Sequence, residues 1–221
     1  MLKTHSSVLS LVLFASALPF ASAHAGFPGA RFRVTVQNVT PGNGVSPFLV
    51  GVLKAGHPVF EVGKPASVGL ATIAETGNAA PLADELRANP ETLVVTQAAG
   101  GPIGPSESRS VEFDVSPFEL RSARLNVVGM IGRSNDSFVA IRDFPLATVM
   151  RMGEVNLRAT NYDAGSEENT GSLADFGPGG HPTAHAEGFV TFDRGLNPRG
   201  DAGDLVAWGS VAATVKIERI R

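Results

Sequence analysis

The segment Arg31-Phe-Arg-Val-Thr-Val-Gln-Asn-Val39 alternates apolar and polar side chains. Phe32, Val34 and Val36 fall on one face, and charged or polar residues fall on the other. Strict alternation of this kind is typical of an antiparallel β-strand with one buried face and one solvated face. The segment therefore predicts a sheet that packs against a core on one side only.

The same period of two recurs along the chain. It appears at Val111-Glu-Phe-Asp-Val115 and at Thr214-Val-Lys-Ile-Glu218. Further candidate strands lie at residues 47–53, 124–131, 138–141, 154–160 and 187–192. Glycine (25) and proline (15) together make 40 of the 221 residues, which indicates many turns and few long helices. About eight short strands with short connections predict an all-β, antiparallel β-sandwich.

One region departs from this pattern. Residues 65–88 are rich in alanine and leucine, and we predict two short helices there, at about 66–75 and 80–88. Thr76-Gly77-Asn78 separates them, and Asn89-Pro90 ends the second. In an otherwise all-β chain we expect these helices to cap one end of the sandwich. No internal repeat or linker interrupts the sequence, so we expect residues 24–221 to form a single domain.

The N-terminus resembles an export signal. An apolar run at residues 7–20 is shorter than the roughly 20 residues that a membrane-spanning helix needs, and Ala21-Ser22-Ala23 follows it. We interpret residues 1–23 as a cleaved signal peptide and predict a secreted or periplasmic protein. An uncleaved anchor or a buried helix is the alternative. No later segment of the sequence is apolar enough to cross a membrane, so we expect no transmembrane segment.

Charge and cysteine content exclude several function classes. The chain carries 18 basic and 21 acidic residues, and removing residues 1–23 removes only Lys3, which leaves 17 − 21 = −4. Nucleic-acid binding requires a basic face, and anionic lipid requires a polybasic cluster; neither is present in the sequence. There are no cysteines, so no disulfide is available. Stability must come from packing or from a metal ion.

An acidic loop stands out at Asn161-Tyr-Asp-Ala-Gly-Ser-Glu-Glu-Asn-Thr-Gly171. Its acids, Asp163, Glu167 and Glu168, repel one another unless something compensates. A solvated turn is one interpretation. The other is an ion site, because Gly165 lets the backbone bend so that Asp163 and Glu167 face one point, and Ca²⁺ takes six to eight oxygen ligands in irregular geometry. The pattern is not an EF-hand, and two side chains are too few.

A second loop must then contribute ligands. Asn135-Asp136-Ser137 lies between two apolar strand candidates, and loops at the same end of a sandwich can meet. It is the best candidate, although spacing alone leaves the pairing of Asp136 with Asp163 a guess.

Several segments, read in order, resemble the spondin N-terminal domain family, which includes F-spondin, mindin and secreted bacterial proteins. The resemblance runs from about residue 30 to about residue 220. The segments that carry it are FEVGKPASVGLATIAETG at 60–77, APLADEL at 80–86, NDSFV at 135–139, YDAGSEEN at 162–169, EGFV at 187–190, and GDL at 203–205 with Trp208.

The resemblance implies a C2-like β-sandwich with a divalent-cation site at one end, normally holding Ca²⁺. Its ligand positions correspond here to Asp136, Asp163 and Glu167. Animal members carry aspartate at the position of Glu167 and threonine at that of Ser166, which puts denticity and affinity in question; Glu168 is the alternative ligand. The cysteines and thrombospondin repeats of the animal members are missing, so their matrix roles do not carry over.

Two other motifs suggest different functions. His181, His185 and Glu187 have the spacing of zinc ligands on a helix, but Pro182 indicates a loop there. Residues 199–201 spell Arg-Gly-Asp, which some integrins bind. No hydrolase nucleophile motif, P-loop or dinucleotide-binding fingerprint is present.

We therefore expect a non-enzymatic, calcium-binding module that acts by binding or adhesion. Its partner would be an extracellular or cell-surface protein or polymer. A lipid headgroup ranks last, because the loops lack exposed basic or large apolar residues. The alternative is a metal-dependent hydrolase that uses His181, His185 and Glu187. A third interpretation is a sandwich without an ion, whose acidic loop is solvated.

Overall fold

A computed structural model describes residues 29–183 and 185–220. The predicted signal peptide, residues 1–23, lies outside them. The strands are β1 (Ala30–Asn38), β2 (Leu49–Lys54), β3 (Thr92–Gln97), β4 (Ser108–Val115), β5 (Ala123–Met130), β6 (Ser137–Pro145), β7 (Glu154–Arg158), β8 (Thr160–Asp163), β9 (Thr191–Phe192) and β10 (Ala213–Arg219). The α-helices are α1 (Val68–Thr76), α2 (Ala80–Ala88) and α3 (Leu146–Met152).

The strands form two sheets. One has four strands in the order β4-β1-β10-β7, and the other has six in the order β3-β2-β5-β6-β8-β9. All the paired strands are antiparallel. The predicted all-β, antiparallel β-sandwich is confirmed. Among the described residues, no helix has the length and hydropathy that crossing a membrane requires.

The four-stranded sheet has one buried face and one solvated face. Phe32, Val34 and Val36 of β1 are fully buried against the second sheet. On the outer face Arg33 contacts Glu112 at 2.6 Å and Glu218 at 3.2 Å. Exposed ion pairs of this kind contribute about 0–1 kcal/mol each, so apolar burial is the main source of stability here.

The central strands of the six-stranded sheet are buried on both faces. In β2, Val50 and Val52 point into the core between the sheets, whereas Leu49 and Leu53 pack on the opposite side. Helices α1 and α2 cover that opposite side, with Leu70 and other apolar residues. The two helices therefore lie on the outer face of a sheet, not at one end of the sandwich as expected. The physical reason is that both faces of β2 are apolar, and that the outward Val128 of β5 extends the outer apolar surface, which cannot be left in water.

Local signals account for the helix boundaries. Helix α1 begins after Ser67, whose Oγ accepts a hydrogen bond of 3.1 Å from the Leu70 N–H. It ends at Thr76, and the following Gly77 caps it in the left-handed conformation with φ +71°. Helix α2 occupies the predicted residues. Helix α3 and strand β3 were not predicted, although TLVVTQ in β3 is rich in β-branched residues.

The segment predicted as one strand at 154–160 divides between the sheets. Its first part, β7, pairs with β10, and after Ala159 the chain continues as β8 beside β6. In this second pairing Ser137 lies opposite Asp163. The loop that precedes β6 and the loop that follows β8 consequently emerge at the same end of the sheet.

Candidate metal centre

The first two predicted ligands lie side by side at this end of the six-stranded sheet. Asp136 directly precedes β6, and Asp163 is the last residue of β8. The backbone N–H of Ala164 donates to the carbonyl of Asp136 at 3.1 Å and holds the two loops together. The pairing of Asp136 with Asp163 that the sequence suggested therefore matches the geometry of the sheet.

Glu187 supplies a third carboxylate. One oxygen from each of Asp136, Asp163 and Glu187 lies within 4.8 Å of the other two. Two oxygens that each lie about 2.3–2.6 Å from one Ca²⁺ are at most about 5.2 Å apart, so a single ion fits between them. Asp136 and Asp163 are 1% and 8% exposed, and Glu187 is exposed.

Glu167, the third ligand predicted from the sequence, is not part of this group. Its backbone N–H donates to Asp136 Oδ2 at 2.9 Å, and the N–H and hydroxyl of Ser166 donate to the same oxygen at 2.7 and 3.0 Å. Partial burial, together with the charges of Glu75, Asp136 and Asp175, raises the pKa of the Glu167 carboxyl to about 7. The structure thus places the backbone of Glu167 against Asp136 and brings Glu187 to the aspartates.

Glu168, the alternative ligand, also lies outside the group. Its side chain is exposed, and its backbone N–H donates to Thr183 Oγ1 at 2.7 Å.

Several buried polar atoms around the two loops lack hydrogen-bond partners. Within the described residues these atoms are Asp136 Oδ1, Asn169 Oδ1, both polar side-chain atoms of Asn135, and one remote atom, Thr92 Oγ1. Burying an uncompensated polar group costs about 1–3 kcal/mol, and more when the group is charged. A cation bound by Asp136 Oδ1 would remove this cost.

The chemistry of the side chains indicates which cation fits. The group offers hard carboxylate oxygens and includes no histidine or cysteine. Such oxygens suit Ca²⁺ and Mg²⁺, whereas zinc sites usually include nitrogen or sulfur. Ca²⁺ accepts irregular coordination, whereas Mg²⁺ requires near-ideal octahedral geometry.

Without an ion, the pKa values of the Asp136 and Asp163 carboxyls lie well above that of an exposed aspartate. Burial is the main cause that raises the pKa of Asp136 to about 6, and the charge of Glu187 adds to it. Burial, followed by the charge of Asp136, raises the pKa of Asp163 to about 7. A cation competes with protons for these carboxylates, so its binding should weaken as the pH falls through this range.

A pH series on the chelator-treated protein tests this arrangement. An aspartate has a pKa of about 3.9 in an unfolded chain, so the folded protein binds more protons and loses stability as pH rises from about 4 to about 7. Asp163→Asn removes one such group and keeps the oxygen that accepts from the Gly165 N–H at 2.8 Å. We expect its thermal midpoint, relative to the wild type, to rise between pH 5 and pH 8. A constant difference would contradict the raised pKa.

Asp193 connects the candidate metal centre to the core. No role was predicted for it from the sequence. Its Oδ2 accepts from Trp208 Nε1 at 2.5 Å, and its Oδ1 accepts from Ser137 Oγ and the Gly195 N–H, both at 3.1 Å. Trp208 is 2% exposed and belongs to the core between the sheets. The tryptophan therefore fixes an acid beside the site.

The alternative zinc ligands, His181, His185 and Glu187, are not brought together as a metal group in the described part of the chain. The His181 side chain is 80% exposed, with Nδ1 3.9 Å from Asp175 Oδ1, and His185 is also exposed. Neither histidine belongs to the acidic group that contains Glu187. Among the residues that the structure describes, these side chains form no three-residue metal group with Glu187.

The Arg-Gly-Asp sequence at residues 199–201 contributes to loop packing. Asp201 Oδ1 accepts from the Leu173 N–H at 2.8 Å, and the Ala202 N–H donates to the Gly171 carbonyl at 3.0 Å. Asp201 of the motif and the following Ala202 therefore hold the 197–202 loop against residues 171–173, where the acidic loop ends.

A cleft of about 440 Å³ opens beside the acidic group. Asp163 and Glu187 form part of its wall. Also on the wall are Glu168, Asn169, Phe189 and Arg194, and the cleft extends to residues 195–198. Phe189 is 47% exposed and Arg194 is exposed, so the expectation that these loops lack exposed basic or large apolar residues is wrong.

No protein-family model matches the chain, and no curated protein matches its sequence. The resemblance to the spondin N-terminal domain family stays a prediction from the sequence.

Proposed function

We propose that the protein is an exported, non-catalytic binding module that holds one Ca²⁺ between Asp136, Asp163 and Glu187. The observation that carries this proposal is the buried carboxylate of Asp136: its Oδ1 has no hydrogen-bond donor, and one of its oxygens lies within 4.8 Å of an oxygen of Asp163 and an oxygen of Glu187. Secretion or periplasmic location, membership of the spondin family and an extracellular or cell-surface partner belong to the same proposal.

The ion would act on the shape of the loops. Asp136 precedes β6, Asp163 ends β8, and Glu187 belongs to the loop that leads to β9. Like charges at this spacing push the three segments apart, whereas a shared dication holds them together. Ion binding would therefore fix the loop surface with which the module meets its partner.

The choice between Glu187 and Glu167 as third ligand gives a direct test. Removing even an outer-shell partner of a bound metal lowers affinity by about 10–100-fold, so we expect Glu187→Gln to weaken calcium binding at least about tenfold. The matched change Glu167→Gln removes a carboxylate outside the group and should alter affinity less than about threefold. Isothermal titration of the chelator-treated protein with CaCl₂ measures both.

The reverse order of effects would restore Glu167 as the ligand. Titration with ZnCl₂ addresses the hydrolase alternative. Tight stoichiometric zinc binding that is lost in a His181→Ala, His185→Ala double variant would contradict the calcium proposal.

A further inference from the structure

We propose that the cleft beside the metal centre binds a neutral sugar, whose vicinal hydroxyl groups complete the coordination of the calcium ion. This inference rests on the proposed function, because it requires the ion.

The cleft lies directly beside the metal centre and shares two side chains with it. Asp163 and Glu187 belong both to the three-carboxylate group and to the wall of the cleft. An ion bound between them therefore has one side toward the cleft. Ca²⁺ takes six to eight oxygens, and three carboxylates leave positions open when they do not all bind through two oxygens. The volume, about 440 Å³, is within the range of about 300–1,000 Å³ that is typical of small-molecule sites.

The net charge of the calcium-bound site favours a neutral oxygen ligand over an anionic one. A dication with three carboxylates has a net charge of 2 − 3 = −1. Glu168 and Arg194, both on the wall of the cleft, cancel each other. An anionic ligand would therefore approach a negative site, whereas hydroxyl groups supply oxygen without adding charge.

The other side chains of the cleft suit a sugar ring. Phe189 is 47% exposed and offers an apolar face for the C–H side of the ring. Asn169 is held beside the centre, because its backbone N–H donates to Glu187 Oε1 at 3.3 Å. Arg194 is exposed and forms no ion pair within residues 29–183 and 185–220, so its N–H groups can donate to hydroxyl oxygens.

The test uses saturation-transfer NMR on the calcium-loaded protein with methyl mannoside, methyl galactoside and methyl glucoside as probes. We expect at least one glycoside to bind, with the signal lost on adding EDTA. Phe189→Ala should weaken sugar binding at least tenfold and leave calcium affinity within threefold. Phe118→Ala, at a phenylalanine that is 81% exposed and outside the cleft, is the matched control and should leave both affinities unchanged.

The outcomes separate the two proposals. Calcium binding with no affinity for any glycoside would overturn the sugar proposal alone, and the absence of calcium binding would overturn both. Tighter binding of glucuronate, or of phosphatidylserine vesicles, than of the neutral glycosides would overturn the charge argument and with it the sugar assignment. Comparing a monosaccharide with the corresponding polysaccharide distinguishes a free sugar from a polymer end as the source of the ligand.

Discussion

Replacing Gly165 with alanine should lower the free energy of unfolding by about 2–5 kcal/mol and abolish calcium binding. Gly165 has φ +68°, and a Cβ there would lie 2.2 Å from the carbonyl oxygen of Phe189 and 2.7 Å from its backbone N and C. A left-handed conformation costs about 1–2 kcal/mol in a residue with a side chain, and overpacking adds about 1–3 kcal/mol. Because the obstacle is backbone, no side-chain rotation relieves it.

The expected loss of calcium binding follows from the position of the clash. The Gly188 N–H donates to the Gly165 carbonyl at 2.7 Å, so the acidic loop and the loop that carries Glu187 are in direct contact. An added methyl group must separate these loops and therefore move Glu187 away from Asp163.

Gly188→Ala is the matched control for this variant. Gly188 has φ +90°, and a Cβ there would meet no heavy atom within 4 Å. The Gly188→Ala variant should therefore lose only the free energy that a left-handed backbone costs a residue with a side chain, about 1–2 kcal/mol. Urea denaturation measures both stabilities, and equal losses would contradict the proposed close packing of the loops.

Removing the side chain of Trp208 should cost about 3–5 kcal/mol, the range for truncating a buried aromatic residue to alanine. Trp208 is 2% exposed, and its loss also leaves Asp193 Oδ2 without its donor at 2.5 Å. For a domain of this size the thermal midpoint falls by about 2–4 °C per kcal/mol, so we expect a decrease of about 6–20 °C.

Trp208→Phe separates the two contributions. It retains most of the apolar volume and removes the Nε1 donor, so we expect a loss of about 1–3 kcal/mol from the unpaired acceptor. A Trp208→Phe variant as stable as the wild type would show that the hydrogen bond to Asp193 does not stabilise the fold.

The alternation of apolar and polar residues predicted most of the sandwich, because in a half-buried strand every second side chain faces the core. Strand β1 is the clearest example, with Phe32, Val34 and Val36 all in the core. The position of the helices was not predictable in the same way. It depends on the outer face of the six-stranded sheet, which becomes a continuous apolar surface only after β2 and β5 have paired.

The candidate site was predictable only in part. Asp136 precedes β6 and Asp163 ends β8. Because these two strands are antiparallel neighbours, both aspartates lie at the same end of the sheet. The sequence predicted a strand at 187–192, but only Thr191–Phe192 pairs with β8, and Glu187 reaches the aspartates from the loop that precedes this short strand. In the sequence it belongs to HPTAHAE, where the histidines suggested a different metal.

The most direct test of the calcium site is a pair of thermal melts of the purified protein at pH 7.5, one in excess EDTA and one in millimolar CaCl₂. The Asp136→Asn variant provides the comparison. An ion at about 100 times its dissociation constant adds roughly 2.7 kcal/mol, which corresponds to about 5–11 °C for a domain of this size. We expect a shift of that size in the wild type and none in Asp136→Asn. An identical midpoint in EDTA and calcium for the wild type, or an equal shift in the variant, would contradict the site.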